Sequence, residues 1–353
     1  MTIRVLVVDD SAFMRRVIGQ AIAAQPDLEL AGTAINGLDA LVKVEQLQPD
    51  VVTLDVEMPE MDGLTALRHL MARYPRPVIM VSSVTQTGAT ATIRALTIGA
   101  LDFVGKPSGS ISLDFDRVRE DLLQKIRVAA TARLGGPLPA AAPRTLPLQS
   151  RPAARRDGFD RLVVIGSSTG GPRALGSLVP ALPNDGHTAY LIVQHMPAGF
   201  TQSLAQRLDS QSALTVREAG PGDHLAAGLA LVAPGDFHLR VTGSGAIELD
   251  RADRVHGVRP SVDVTLDSVA RHFGRSTIAS ILTGMGQDGA AGAAAIHAAG
   301  GQVFAEHEST CVVYGMPRAV VDRGVADQVV PLDQMAAAIG EALAFRKPSR
   351  VRA

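Results

Sequence analysis

Residues 3–8 (IRVLVV) form an unbroken apolar run, and similar short runs recur at 51–54 (VVTL) and 77–81 (PVIMV), with a weaker one around Phe103 and Val104. Apolar runs without polar alternation are the pattern of strands buried on both faces of a parallel sheet. Between them, amphipathic spacing predicts helices over 12–24, 37–47, 63–74, 88–98 and about 113–132. Four such runs alternating with five helices imply a doubly wound, five-stranded parallel sheet over residues 1–132. Residues 133–158 (RLGGPLPAAAPRTLPLQSRPAARRDG) break every periodicity and read as a Pro/Ala/Arg-rich linker. The alternation then resumes: strand 161–166, helix 171–181, strand 189–194, helix 199–209. A Gly/Pro-punctuated stretch over 215–250 reads as short strands and hairpins. A strand at 277–282, a helix after Asp288, a strand near 302–304 and a helix at about 333–345 complete a second doubly wound α/β domain, 159–347.

Composition narrows the classes open to such a chain. Its 353 residues exceed what one core usually organises, so two domains are expected. With aromatics at 3% and no Trp, the cores must be built from Val, Leu, Ile and Ala, and stacking on nucleic-acid bases is poorly supplied. Lys plus Arg number 34 against 35 for Asp plus Glu, so no global field favours DNA, RNA or an anionic membrane. The single cysteine, Cys311, has no internal disulfide partner, which suits a reducing cytoplasm. No window approaches 18 uninterrupted apolar residues, so a cytoplasmic protein without membrane insertion is expected.

In an open parallel sheet, reactive groups gather at the carboxyl ends of strands. The first strand ends in Asp9-Asp10, the third in Asp55 and the fourth in Ser82, and the fifth is followed by Lys106-Pro107. Any one of these acids could simply cap a helix. Three carboxylates converging on one crevice repel each other, and a hard divalent cation such as Mg²⁺ would neutralise them. The segments VVDDS, TLDVEMPEMDG, MVSS and FVGKP together resemble the receiver domain of two-component response regulators, over roughly residues 2–125. That resemblance implies Asp55 as phosphoacceptor, Asp9, Asp10 and Asp55 as Mg²⁺ ligands, Ser82 as switch hydroxyl, Phe103 as switch aromatic and Lys106 as phosphoryl contact.

The second domain carries a different set. In IGSSTGGP, residues 165–172, Ser168 follows an apolar strand and precedes a glycine pair that opens a helix. The segment matches neither the nucleophile elbow G-x-S-x-G nor a phosphate loop. Ser168 or Thr169 could equally cap that helix. A serine nucleophile needs a base, and LIVQHMP places His195 just after another apolar strand; a third group must orient the imidazole, and ILTGMGQDGAAG offers Asp288. Asp263, in RPSVDV, is the rival acid. A nucleotide-binding reading of the Gly-rich turn would need an acidic ribose partner about 20 residues on, where Asp185 stands.

IGSSTGGP, VQHMPAGFT, RPSVDV, ILTGMGQDGAAG and CVVYGMPRAV resemble the catalytic domain of the chemotaxis protein-glutamate methylesterases, over roughly 160–345. The resemblance implies Ser168 as nucleophile, His195 as general base and acid, Asp288 as orienting carboxylate and the Met285 N–H as oxyanion donor. Ser167 stands where that family's pattern has Ala, which leaves Ser168 in register. It further implies hydrolysis of γ-glutamyl methyl esters and deamidation of glutamines on chemoreceptors, no cofactor in the hydrolase domain, and a sensor histidine kinase as phosphodonor. A non-catalytic adaptor that docks on receptors is the rival reading. Because a Pro/Ala-rich linker transmits little strain, control is expected through a receiver that occludes the Ser168 crevice until Asp55 is phosphorylated.

Overall fold

The structure, a computed structural model, describes residues 2–83, 85–106, 113–132 and 158–345. Nearly all of the expected linker 133–158, Pro107 and the last two residues of the expected second domain lie outside these. The chain divides into two compact units.

In the first unit, β1 (Ile3–Val8), β2 (Leu28–Ala34), β3 (Val51–Asp55), β4 (Val78–Ser82) and β5 (Asp102–Gly105) alternate with α1 (Ala12–Ala23), α2 (Gly37–Leu47), α3 (Gly63–Arg73), α4 (Gln86–Ile98) and α5 (Leu113–Thr131). The strands form one parallel sheet in the order β2-β1-β3-β4-β5. The apolar runs read from the sequence are its buried centre: Val5, Leu6, Val7, Val51, Val52, Leu54, Val78, Ile79 and Met80 are fully enclosed. β2 left no such run, because it is an edge strand whose middle residues are half-exposed and include Glu29, Gly32 and Thr33. Polar residues stop the strands and start the helices: Ser11, Asn36, Asp62 and Thr85 each accept a backbone N–H from the first turn that follows.

The second unit is built on a seven-stranded parallel sheet. Its strands are β6 (Arg161–Ser167), β7 (Thr188–Gln194), β8 (Thr215–Glu218), β9 (Leu229–Val232), β12 (Thr277–Ile281), β13 (Gln302–Glu306) and β14 (Gln328–Val330), in the order β14-β13-β12-β6-β7-β9-β8. A separate antiparallel pair, β10 (His238–Val241) and β11 (Ile247–Asp250), is the one true hairpin of the 215–250 stretch. β8 and β9 instead run parallel to each other and extend the main sheet. Helices α6 (Gly171–Leu178), α7 (Phe200–Gln211), α8 (Val262–Phe273), α9 (Ala290–Ala298), α10 (Met316–Asp322) and α11 (Leu332–Phe345) complete the unit. α8 was not read from the sequence, although Val262, Leu266, Val269 and Phe273 recur at helical spacing and all are buried.

From β6 the chain winds outward through β7 towards β8, then returns to β12 and winds the other way to β14. The loops leaving β6 and β12 therefore diverge, and a crevice opens at the carboxyl ends of those adjacent strands. Among the described residues, no helix is long and apolar enough to cross a membrane.

Candidate active site and receiver pocket

The carboxyl ends of the first sheet bring the expected acids together. Carboxylate oxygens of Asp9, Asp10 and Asp55 lie within 4.8 Å of one another. Lys106 Nζ stands 3.0 Å from Asp9 Oδ2 and 2.7 Å from Asp55 Oδ2. Burial pushes the Asp55 carboxyl above its ordinary range; Lys106 pulls it back down and the Asp9 charge raises it further. Burial works against the Lys106 ammonium, but Asp55 and Asp9 outweigh it and hold its pKa above the usual lysine value. One lysine against three clustered carboxylates leaves an excess of negative charge. A hard divalent cation with oxygen ligands fits that donor set.

Ser82 is fully buried, and its hydroxyl donates to the Gly88 carbonyl of α4 at 3.2 Å, so it ties β4 to α4. Phe103 is turned inward. Its carbonyl accepts from Lys125 Nζ at 2.6 Å, and the same ammonium lies 5.5 Å from its ring centroid.

In the second unit, the β6–β7 register pairs Ser167 with Gln194, so Ser168 and His195 leave neighbouring strands side by side. His195 N–H donates to the Ser167 carbonyl at 3.1 Å. Ser167 is fully buried and its hydroxyl donates to Gln194 Oε1 at 2.7 Å. Gln194 Nε2 in turn donates to the carbonyls of Ser168 (3.0 Å) and His195 (3.1 Å). Gln194 therefore clamps both strand ends. The sequence reading missed it, though a polar residue closing an otherwise apolar strand was a usable signal. Gly171 carries no side chain because a Cβ there would run into Gln194 Oε1. At Gly170, φ is +80°, a conformation that a Cβ disfavours, and one there would also press on Val312. The N-cap of α6 is Gly170, so neither Ser168 nor Thr169 occupies the capping position.

The third member arrives from the loop after β12. His195 Nε2 meets Asp288 Oδ2 at 2.7 Å, with the His195 side chain 9% and the Asp288 side chain 2% exposed. Nδ1 is thus the ring nitrogen left to face a reacting hydroxyl. Asp288 also accepts from Val262 N–H (2.7 Å), Asp263 N–H (3.0 Å) and the Ser261 hydroxyl (2.7 Å), which places it on the amino terminus of α8. Burial opposes ionisation of Asp288, but these donors, His195 foremost, hold its pKa below the ordinary carboxylate value. Asp263, the rival acid, is used elsewhere: it accepts from Gly292 N–H at 2.7 Å and meets His256 Nε2 at 3.0 Å. Asp185 serves the start of the strands, where it accepts from His187 N–H, Thr188 and Arg161, so it borders the opposite edge of the sheet from Ser168.

Met285 is half-buried in the loop that leads to Asp288. Its neighbour Gly284 is fixed by a bond to the Val313 carbonyl (3.1 Å) and by two N–H groups, of Gly315 and Met316, that donate to its own carbonyl. A Cβ on Gly284 would stand 2.8 Å from Ser168 Cβ, so the loop and the serine touch. Among the described residues, neither the Met285 N–H nor the Ser168 hydroxyl has a hydrogen-bond partner. A free hydroxyl, an imidazole held by a buried carboxylate and an unpaired N–H bordering one crevice are the parts that acyl transfer requires.

Fold and sites together define a response-regulator receiver joined to an α/β unit with the makings of a serine hydrolase. Residues 5–114 match the response regulator receiver domain, and residues 163–339 match the CheB methylesterase. The chain belongs to the CheB methylesterase family. It is 53% identical over 351 residues to a protein-glutamate methylesterase/protein-glutamine glutaminase of Symbiobacterium thermophilum, covering 97% of each chain. A protein of the same description from Thermotoga maritima is 49% identical, over 93% of this chain and 95% of its own. The crystal structure of the Thermotoga maritima CheB methylesterase catalytic domain superposes with a TM-score of 0.50 at 49% identity, covering 52% of this chain and 98% of that one.

Proposed function

We propose that this chain hydrolyses γ-glutamyl methyl esters on the cytoplasmic helices of chemoreceptors, deamidates receptor glutamines, and does so under control of phosphorylation at Asp55. The observation that carries the reading is the buried 2.7 Å bond between His195 Nε2 and Asp288, beside a serine in register with that histidine. Ser168 Oγ attacks the ester carbon while its proton passes to His195 Nδ1. The C–O bond to methoxide breaks, and methanol leaves with the proton from His195; with an amide substrate ammonia leaves instead. Water then attacks the acyl-serine, His195 taking its proton and returning it to Ser168 Oγ as the glutamate is released. Asp288 fixes the imidazole and stabilises its cation without becoming protonated. The Met285 N–H is the donor offered to the oxyanion in both steps.

In the receiver, Asp55 takes the phosphoryl group from a histidine kinase, and Lys106 contacts it. Asp9, Asp10 and Asp55 would hold Mg²⁺, which supplies charge neutralisation for the incoming phosphoryl group. Labelling with a fluorophosphonate, followed by peptide mass spectrometry, tests the nucleophile: the adduct belongs on Ser168, and an adduct on Ser167 or none at all counts against the mechanism.

A further inference from the structure

A second buried acid lies beside the same loop with no part in the steps above. Glu306 closes β13, is fully enclosed, and its Oε2 accepts the Thr283 N–H at 2.8 Å. Among the described residues its Oε1 has no hydrogen-bond partner of good geometry. Thr283 is the residue through which the β12 loop grips the serine strand. Its carbonyl accepts the Ser168 N–H at 3.1 Å, and its hydroxyl donates to the Thr169 carbonyl at 3.1 Å. That hydroxyl also accepts the Val313 N–H at 3.0 Å. Two residues further on is Met285.

We propose that Glu306 is a positioning residue for the hydrolysis, fixing Thr283 and, through it, the spacing between Ser168 and the Met285 N–H. The role asks the carboxyl for an acceptor and not for a charge. Among the described residues no cation faces it: the loop after β12 presents the Thr283 N–H, β14 presents the backbone of Val330, and the loop after β13 presents Thr310 and the Cys311 thiol. The adjoining His307 and Glu308 are exposed, with the His307 ring bonded to Ser309. Burial accordingly drives the Glu306 pKa up, against the Thr283 N–H and, more weakly, Thr310 and Cys311, which lower it. A neutral acid accepts one N–H just as a glutamine amide does, so the role needs the acceptor and not the charge.

This inference rests on the proposed serine mechanism, and its test separates the two. Methanol release from chemoreceptor membranes carrying labelled methyl esters is measured for full-length Glu306→Gln, Glu306→Met and Thr283→Val, with thermal melting of each and Ser168→Ala as control. Glu306→Gln should retain kcat within about threefold of wild type. Glu306→Met, which fills the space but accepts nothing, should lose at least about tenfold in kcat with KM within about twofold. Thr283→Val keeps the N–H given to Glu306 but cuts the tie to Thr169; it should show the same split, and it keeps the test decisive if Glu306→Met fails to fold. Wild-type kcat in a folded Glu306→Met or in Thr283→Val, or a Glu306→Gln as impaired as Glu306→Met, overturns the inference. An active Ser168→Ala overturns the mechanism beneath it instead.

Discussion

Replacing Asp288 by asparagine changes one oxygen into an NH2 group at a carboxylate that accepts from Val262 N–H, Asp263 N–H, Ser261 Oγ and His195 Nε2. If the remaining oxygen keeps Val262 and His195, the new NH2 faces the Asp263 N–H, donor against donor. If it is flipped, the NH2 faces Val262 and the histidine. A buried donor left unpaired costs about 1–3 kcal/mol, and loss of a charge at the start of α8 adds about 0.3–1 kcal/mol. A destabilisation of about 1–4 kcal/mol corresponds to a melting temperature lower by roughly 3–16 °C for a unit of this size. The catalytic effect is separate and larger. In the first arrangement the ring keeps its tautomer but loses the charge that stabilises its cation, in the second the NH2 favours the tautomer with Nδ1 protonated, and with the flipped form kcat should fall on the order of 10³–10⁴-fold. Methanol release and differential scanning calorimetry on Asp288→Asn and Asp263→Asn test both effects. Asp288→Asn with near-wild-type turnover, or an inactive Asp263→Asn beside an active Asp288→Asn, would refute the assignment.

Ser168→Ala should abolish ester hydrolysis, as should His195→Ala, whereas Ser167→Ala should keep most turnover and lose about 1–3 kcal/mol of stability in urea melts, since its hydroxyl serves only Gln194. Glu306→Gln should be more stable than wild type by a margin that widens with pH. In wild type the unfolded carboxyl ionises first while the folded one stays protonated, so stability falls as pH rises between the ordinary and the raised pKa, by up to about 1.4 kcal/mol per unit. A margin constant from pH 4 to pH 8 would show that the folded carboxyl is not held neutral. A fragment beginning at Arg156 should hydrolyse ester faster than the unphosphorylated full chain; a slower fragment would mean that the receiver assists the reaction rather than restraining it.

What could be read from the sequence was whatever lay at a strand end. Asp9, Asp55 and Lys106, and likewise Ser168, His195 and Asp288, each follow a short apolar run, and a parallel sheet sends all such ends to one edge. The runs themselves were legible because Val, Leu and Ile buried on both faces leave no alternation. β2 escaped because an edge strand is half-exposed, and the β8–β9 stretch looked like hairpins because Gly and Pro mark turns without fixing strand direction. Gln194, Ser261 and Glu306 act through contacts between segments distant in the chain. Glu306 had a strand-end signal as clear as that of Asp55, after Val303-Phe304-Ala305, but no repelling neighbour drew notice to it. Which acid meets His195, and through which ring nitrogen, depends on the packing of α8 against the β12 loop, a helix that its own apolar spacing announced and that was overlooked.

The central claim is that one chain couples a phosphorylatable Asp55 to a Ser168 hydrolase, and methanol release from methyl-esterified chemoreceptor membranes tests it most directly. It is measured with and without acetyl phosphate and Mg²⁺, for wild type, Asp55→Asn and Ser168→Ala. Release should rise with the phosphodonor in wild type, remain at the basal level in Asp55→Asn whether or not the donor is present, and vanish in Ser168→Ala under both conditions. Release that is undiminished in Ser168→Ala, or that responds to acetyl phosphate in Asp55→Asn as it does in wild type, would contradict the account.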